Sequence, residues 1–409
     1  MKLSQLFTKT RKDFPKDEIS VSSQLLIKSG YVDKLAAGVY TLLPLGLRTI
    51  EKISSIVRSE MEDLGANEIL MPALIPKENW QKTGRWETLD ALFKLKGLDD
   101  KEYGLGATHE EVVSPLVKRF TFSYKDLPFG VFQIQNKFRN EARAKSGVLR
   151  TREFIMKDLY SFHTDKEDLD NYYDKVKDAY WRIFERCGIK SKTYLTFASG
   201  GSFSKYSHEF QTETEAGEDE VYVCKDCKTG MNKEIVGESF KCPNCGKSEY
   251  DVIKAVEVGN IFKLADNYSK PFDLKFVDED DQKKTVMMGC YGIGIQRLMG
   301  TVAEVNRDQN GLIWPEEVAP YKVYLIALDD KKKDGDDLYK YLTGRGLEVI
   351  YDDRAEVSAG EKFADCDLLG IPYRLILSNN TGNNLEIKRR SEQKGELISR
   401  DRLIEKMGS

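Results

Sequence analysis

Phe138-Arg-Asn-Glu-Ala-Arg143 and, after a short basic loop, Arg150-Thr-Arg-Glu-Phe-Ile-Met-Lys-Asp158 decide how this chain is read. Side chains alternate along a strand, so Phe132, Ile134 and Phe138 fall on one face and Gln133, Gln135, Lys137, Arg139 and Glu141 on the other. On the return strand Arg150, Arg152, Phe154, Met156 and Asp158 share one parity. Guanidinium forks match phosphate oxygens and an aromatic face suits a purine, so the two strands are equipped to grip a nucleoside triphosphate. The residues alone also allow an amphipathic hairpin with a solvated charged face.

Outward from this stretch, 409 residues are enough for two to three domains and a sizeable core. Charged residues make up 32% of the chain, and no apolar run approaches the ~20 residues that span a bilayer. The start, Met1 to Pro15, has no apolar core of a signal peptide and carries Asp13, so the expectation is a cytoplasmic, non-membrane protein. A net charge of −4 argues against non-specific coating of nucleic acid. It leaves room for a nucleic-acid partner held by local basic clusters such as Arg143 with Lys145, and Lys388-Arg389-Arg390.

Ile50, Ile53, Val57, Met61 and Leu64 predict a helix over 45–64 that Gly65 stops, with a strand over 67–72 following. Residues 165–187 predict a second long helix ended by Gly188. Trp314 to Pro320, with two prolines, reads as a linker. Beyond it the apolar runs 321–328, 347–351 and 373–377 alternate with helical segments, as in a small α/β domain.

Cys224-Lys-Asp-Cys227 and Cys242-Pro-Asn-Cys245 are two C-x2-C knuckles separated by Lys228–Lys241, close to the spacing of four-cysteine zinc ribbons. Tetrahedral Zn²⁺ neutralises four thiolates without an open position, so the expected ion is structural. Reduced cysteines or a redox pair are the alternative. Cys187 and Cys366 read as small core residues.

Phe-Arg-x-Glu, a basic loop and Arg-x-x-x-Phe together resemble the second signature motif of class II aminoacyl-tRNA synthetases. Gly65-Ala-Asn-Glu-Ile-Leu-Met-Pro72 resembles the first motif, and Gly289-Cys-Tyr-Gly-Ile-Gly-Ile-Gln-Arg297 the third. With Ala107-Thr-His-Glu-Glu111, Ser207-His-Glu-Phe210, Glu257-Val-Gly-Asn-Ile-Phe262 and Asp352-Asp-Arg354, the resemblance narrows to the bacterial-type prolyl enzymes and covers nearly the whole chain. It implies an α+β fold: a catalytic domain on an antiparallel sheet over 1–220 and 251–313, a zinc-ribbon insertion over 221–250, and an α/β anticodon-binding domain over 320–409.

The implied reaction joins the carboxylate of L-proline to the α-phosphate of ATP and passes the prolyl group to tRNA(Pro). Positioning and electrostatics carry most of the rate of such a step. Arg139 is expected on the α-phosphate and carboxylate, and Arg297 on the γ-phosphate. Arg297 also lies off the buried helical stripe Ile295, Leu298, Met299 and Val302. Glu141 and Phe154 are expected to hold the adenine, with Arg150 and Thr151 near the phosphates and Mg²⁺ bridging them. For proline, Thr108 and Glu110 match the amine-binding pair, and Met156 and Asp158 the pocket lining, with His208 as a further wall residue. A capping box from Thr108 to Glu111 is the competing reading. Cys290 corresponds to a position beside the active site. Asn260 departs from the family's histidine, and Gln296 from an acidic residue.

For tRNA, the resemblance implies Arg143 and Lys145 in the motif 2 loop. Asp352, Asp353, Arg354, Lys362, Phe363, Glu386 and Lys388 match the positions that read the anticodon, whose unpaired bases are stacked and hydrogen-bonded. It implies a homodimer built on the first motif. Many bacterial-type relatives carry an editing domain whose insertion point falls between the two knuckles. Lys228–Lys241 is too short for one, so a separate trans-editing deacylase is an expected partner. Two readings stay open beside the ligase: a synthetase-like regulatory protein, and a threonyl sister enzyme, which would carry a catalytic zinc with histidine ligands.

Overall fold

The computed structural model describes all residues except 16, 17, 143, 145, 201–205, 238, 408 and 409. The chain forms two compact units. One comprises 1–35, 40–53 and 302–409, the other 36–39 and 54–301. Among the described residues no helix is long and apolar enough to cross a membrane.

The larger unit is organised by a nine-stranded sheet: β1 (Asn67–Glu68), β2 (Phe129–Phe138), β3 (Glu153–His163), β4 (Thr193–Ser199), β5 (Tyr206–Glu213), β6 (Asp219–Cys224), β7 (Gly230–Asn232), β8 (Tyr250–Ala265) and β9 (Met287–Gly294). Its order is β5-β4-β7-β6-β8-β9-β3-β2-β1, and β5 also pairs with β8, so five strands close on themselves at one end. Pairing is antiparallel except between β7 and β4 and between β1 and β2. The strand expected over 67–72 is only the two residues of β1, because pairing with β2 ends at Glu68.

The register sets one face of this sheet. Glu209 of β5 lies opposite Asn260 of β8, Asn260 opposite Gly292 of β9, Gly292 opposite Asp158 of β3, and Asp158 opposite Gln133 of β2. Across this row the two glycines of β9 matter most. A Cβ on Gly292 would meet only the Met156 sulfur, at 3.9 Å, and one on Gly294 only Arg297 Cβ, at 3.4 Å. Without side chains there, the middle of the sheet stays open between Asp158 and Asn260. Gly292-Ile-Gly294 is therefore strand rather than a dinucleotide loop.

Helices follow from periodicity as read. The expected 45–64 helix is α1 (Pro44–Asp63), followed by Gly65 at φ +77. Next comes α2 (Glu110–Val117), and then α3 (Lys166–Arg186), which is capped by Asp165 accepting from the Asp168 amide at 2.9 Å. Leu169, Tyr173, Val176, Tyr180, Ile183 and Phe184 form the buried stripe of α3. That stripe covers the sheet face opposite the glycines: Tyr180 meets Lys157 of β3, and Tyr173 meets Tyr291 of β9, both at the alternate parity. After β9 the chain runs directly into α4 (Ile295–Val305), whose Ile295, Leu298, Met299 and Val302 are fully buried.

In the other unit, β10 (Val323–Ala327), β11 (Val349–Asp352), β12 (Tyr373–Leu377), β13 (Leu385–Arg389) and β14 (Glu396–Ile398) form a sheet in the order β11-β10-β12-β13-β14, parallel across β11-β10-β12 and antiparallel beyond. The helices α5 (Lys332–Thr343) and α6 (Ala359–Leu369) connect the parallel strands. Leu325, Leu338, Leu342, Val349, Leu375 and Leu385 are among its core. Residues 314–320 belong to this unit, with Trp314 buried against Tyr31 at 5.3 Å between ring centroids.

Candidate active site

The open row on the sheet is the floor of a cavity of about 340 Å³. Its walls bring together Thr108, Arg139, Glu141, Thr151, Phe154, Met156, Asp158 and Arg297, residues that the sequence places up to 189 positions apart, together with Glu257, Asn260 and Cys290.

Arg139 follows directly on β2. Its guanidinium lies 5.3 Å from the Phe154 ring centroid, and it makes no ion pair among the described residues. Burial and the neighbouring Arg297 guanidinium both hold Arg139 below its ordinary pKa. Two cations facing one cavity repel each other, so an anion between them is favoured. Arg297 donates through Nε to the Leu149 carbonyl at 2.9 Å and through Nη1 to the Glu257 carbonyl at 3.1 Å. It also pairs with the Glu257 carboxylate at 3.3 Å. The alternation expected to carry through Arg150 and Arg152 does not, because β3 begins at Glu153. Arg150 instead turns onto the Glu141 carboxylate at 2.8 Å and onto Glu218 at 2.7 Å, over an adjoining cavity of about 230 Å³. Gln296 accepts from the Ile155 amide at 2.7 Å and thereby ties the start of α4 to β3.

The polar face of the hairpin is not solvated. Gln133 and Lys137 are fully buried, and Asp158 is 2% exposed. Lys137 Nζ sits 2.7 Å from one Asp158 oxygen, while Gln133 Nε2 and the Tyr160 hydroxyl each donate to the other at 3.0 Å. Burial alone would raise the Asp158 carboxyl. Although burial is the largest single effect, the Lys137 ammonium, His109 and the bonds from Lys137 and Gln133 together outweigh it and hold the group below the usual carboxylate range, hence ionised. Lys137 was not among the expected site residues. Its alternation with Arg139 was the available signal, but nothing in the sequence told a buried lysine from a solvated one.

Thr108 faces the cavity, and its hydroxyl donates to Glu110. Glu110 itself is fully buried behind Thr108 and Cys290, with Arg85 Nη1 at 3.1 Å and the Cys290 sulfur at 3.2 Å. The capping box does not form. His109 is the N-cap without a side-chain bond, and Glu111 takes Arg85 and the Thr83 hydroxyl instead. His208 is a correction. One residue from Glu209 on β5, it falls on the α3 face of the sheet, where Nδ1 meets the Tyr173 hydroxyl at 2.7 Å and the ring lies 4.4 Å from that of Phe197. Burial lowers its pKa to about 4, so it is a neutral, half-buried histidine on the α3 face rather than a cavity wall. His109 is likewise buried and lowered to about 4, first by burial and then by Lys137.

Residues 93–306 match the tRNA synthetase class II core domain (G, H, P, S and T), and residues 322–409 the anticodon binding domain. The chain is 33% identical to the proline–tRNA ligase of Geobacillus sp. (strain WCH70), with 99% of both chains covered. It is also 33% identical to that of Thermosipho melanesiensis, over 95% of this chain and 96% of the relative. It belongs to the proline–tRNA ligases. Among solved structures, the fold matches prolyl-tRNA synthetases of Giardia lamblia in complex with prolyl-adenylate and of Cryptosporidium parvum complexed with halofuginone and AMPPNP. Their TM-scores are 0.76 and 0.78, each at 18% identity; 92% and 95% of this chain and 73% and 76% of theirs are covered. The Geobacillus alignment spans 561 positions against the 409 residues of this ligase, which is correspondingly shorter and lacks the editing insertion.

In the anticodon-binding domain of this ligase the expected contact residues divide. Asp352 is fully buried, accepting from Arg354 through both oxygens at 2.8 and 2.7 Å and from the Tyr324 hydroxyl at 2.9 Å. It therefore shapes the loop and cannot itself face a base, which corrects its expected role. Lys362, 7% exposed, donates to the Asp352 carbonyl, and Asp353 accepts from the Ser4 amide and hydroxyl. Glu386 and Lys388 share a face of β13. Opposite Lys388 is Arg374, whose guanidinium lies 4.7 Å from the Phe363 ring centroid. Arg374 is a further cation on that face that the sequence reading passed over. Arg143 and Lys145 lie outside the described residues.

The four cysteine sulfurs lie within 4.8 Å of one another, with Cys224 and Cys245 at 3.5 Å and Cys227 and Cys242 at 3.5 Å. A tetrahedral site with Zn–S arms of ~2.3 Å has edges of ~3.8 Å, so this donor set fits zinc.

Proposed function

We propose that the cavity activates L-proline with ATP, and that its residues divide the work as follows. Arg139 holds the α-phosphate and the proline carboxylate, and Arg297 the outer phosphates. Phe154 stacks the adenine, with Glu141, Arg150 and Thr151 around the nucleotide. Thr108, backed by Glu110, takes the proline ammonium, while Met156 and Asp158 border its ring. The observation that carries this reading is the pair of facing guanidiniums, Arg139 and Arg297, over a glycine-floored cavity. A charge-stabilising site of this kind acts by positioning and electrostatics. Prolyl-adenylate in the Giardia relative and AMPPNP in the Cryptosporidium relative are ligands of the same chemistry. Proline-dependent exchange of pyrophosphate into ATP, with other amino acids as controls, is the test. An exchange signal no larger with proline than with alanine or threonine would sink the assignment.

Mg²⁺ takes oxygen ligands. Glu257 offers a carboxylate in the cavity wall, and the buried Asn260 Oδ1 has no hydrogen-bond partner among the described residues. These two would hold the ion, which neutralises phosphate charge when bound. The prolyl group then passes to tRNA(Pro), with Arg354, Phe363, Glu386 and Lys388 the residues on offer to anticodon bases. We assign the protein to the cytoplasm as a homodimer, for which the exposed Leu70 and Leu74 after β1 supply apolar surface.

The cysteine cluster should hold about one structural zinc per chain that stabilises folding. Metal analysis of anaerobically purified protein gives the stoichiometry. A Cys242→Ser variant is expected to lose both the metal and stability, and unchanged stability would contradict the role.

Among the described residues between the knuckles the chain forms only β7 and one short turn of helix, Lys233–Ile235. A missing methylene distinguishes substrates by only ~1–3 kcal/mol, so alanine is misactivated appreciably. We therefore expect alanyl-tRNA(Pro) to persist unless a separate deacylase removes it. Preformed alanyl-tRNA(Pro) incubated with the protein should deacylate no faster than without it.

A further inference from the structure

The loop between β2 and β3 carries Arg139 and Glu141 at one end and Arg150 and Thr151 at the other. On its inner side it is held by Arg297 donating to the Leu149 carbonyl at 2.9 Å. On its outer side it meets the tip of a hairpin whose strands are Val32–Ala36 and Val39–Leu42. The contact is built from one side chain and two backbones. Arg152 gives its backbone N–H to the Gly38 carbonyl at 2.8 Å and its Nη1 to the Ala37 carbonyl at 3.1 Å. The same guanidinium donates through Nε to the Glu141 carbonyl at 3.0 Å, and the Arg152 carbonyl accepts from the Arg139 amide at 2.8 Å. Arg152 is thus bonded at once to the hairpin tip and to the backbones of both residues expected on the nucleotide.

Gly38 permits the approach. Its φ is +75, and a Cβ there would stand 2.6 Å from Ala144 Cβ and 3.1 Å from the Arg152 amide nitrogen. Any other L-residue adds backbone strain and pushes on the loop. Arg152 is not among the residues lining the cavity, so its four hydrogen bonds act on the site only through Arg139 and Glu141.

We propose that the Ala36–Val39 tip is a clasp for the nucleotide loop, with Arg152 the positioning residue that sets Arg139 and Glu141 for ATP. The inference rests on the assignment of those two residues to ATP. Thr108 stands on another segment, just before α2, and Met156 and Asp158 lie inside β3 beyond the loop, so the clasp acts mainly on ATP, with Arg139 its one link to the proline carboxylate.

The test is pyrophosphate exchange by the full chain, with ATP varied at saturating proline and the reverse, for Arg152→Ala, Arg152→Lys, Gly38→Ala and Arg139→Ala, each with a thermal melt. Arg152→Ala and Gly38→Ala should each lower kcat/KM for ATP on the order of 10²-fold, mainly through KM, as small misplacements of a site do. KM for proline should rise far less than KM for ATP, since only Arg139 is shared, and Arg152→Lys should recover part of the loss. Should Arg152→Ala not fold, Gly38→Ala carries the test, since it removes no charge. An unchanged KM for ATP in a folded Gly38→Ala or Arg152→Ala protein, or equal rises in both KM values, overturns the clasp. If Arg139→Ala loses ATP affinity while those variants keep it, the clasp alone is wrong. If Arg139→Ala keeps it too, the ATP assignment beneath the proposal has failed.

Discussion

Arg139→Ala should lower proline-dependent pyrophosphate exchange by about 10²-fold or more, and Arg297→Ala by a similar factor, as for loss of one preorganised charge-stabilising donor. The two variants should differ in stability. Arg139 has no ion pair among the described residues, and burial and its neighbouring cation already disfavour its charge, so removing it costs the fold little. Arg297 bonds the Leu149 carbonyl and Glu257, so its removal also frees the nucleotide loop. The pair should be far from additive, because both act on one anion. Single-turnover measurement of adenylate formation, beside thermal melts of both variants, separates the chemistry from the scaffold. Near-normal activation in Arg139→Ala would mean that the ATP site lies elsewhere.

Lys137→Met is expected to be the most damaging single change to the fold near the cavity. It leaves Asp158 ionised in a buried site, where breaking such a pair costs about 3–5 kcal/mol. The pH dependence gives the mechanism away. In the native protein the Lys137 ammonium keeps the Asp158 pKa below its unfolded value, which is a stabilisation present at neutral pH and lost as pH falls through the lowered pKa. Without Lys137, desolvation pushes that pKa above the unfolded value. The variant should then be most destabilised at neutral pH and recover partly as the pH falls and the carboxyl takes up a proton. Denaturant midpoints at pH 7 and pH 5 check this, and equal losses at both would contradict it. Lys137→Met with Asp158→Asn together should regain much of the stability, since no buried charge is left unpaired, while proline activation stays poor.

Zinc stoichiometry and the persistence of alanyl-tRNA(Pro) test the regions away from the cavity. Each expectation rests on a local signal: two C-x2-C knuckles at ribbon spacing, and a gap between them too short for a domain.

Local pattern also determined the long helices α1 and α3, the buried stripe of α4 and the α/β order of the carboxy-terminal unit, while the motif residues Arg139, Phe154, Met156, Asp158 and Arg297 that share one cavity were legible through the family resemblance their short motifs carry. Such features depend on neighbours within a turn or along a strand, so periodicity and spacing carry them. What depends on which strand lies beside which could not be read from the sequence. Whether Lys137 was solvated or locked on Asp158 required the pairing of β2 with β3. His208 and Glu209 are adjacent in sequence, yet only the pairing of β5 with β8 decided that the glutamate faces the cavity row and the histidine faces α3. Asp352, read as a base contact, became the buried anchor of Arg354 once Tyr324 of β10 came beside it. Burial and strand register are properties of contacts between distant segments, and those contacts exist only when the chain is folded.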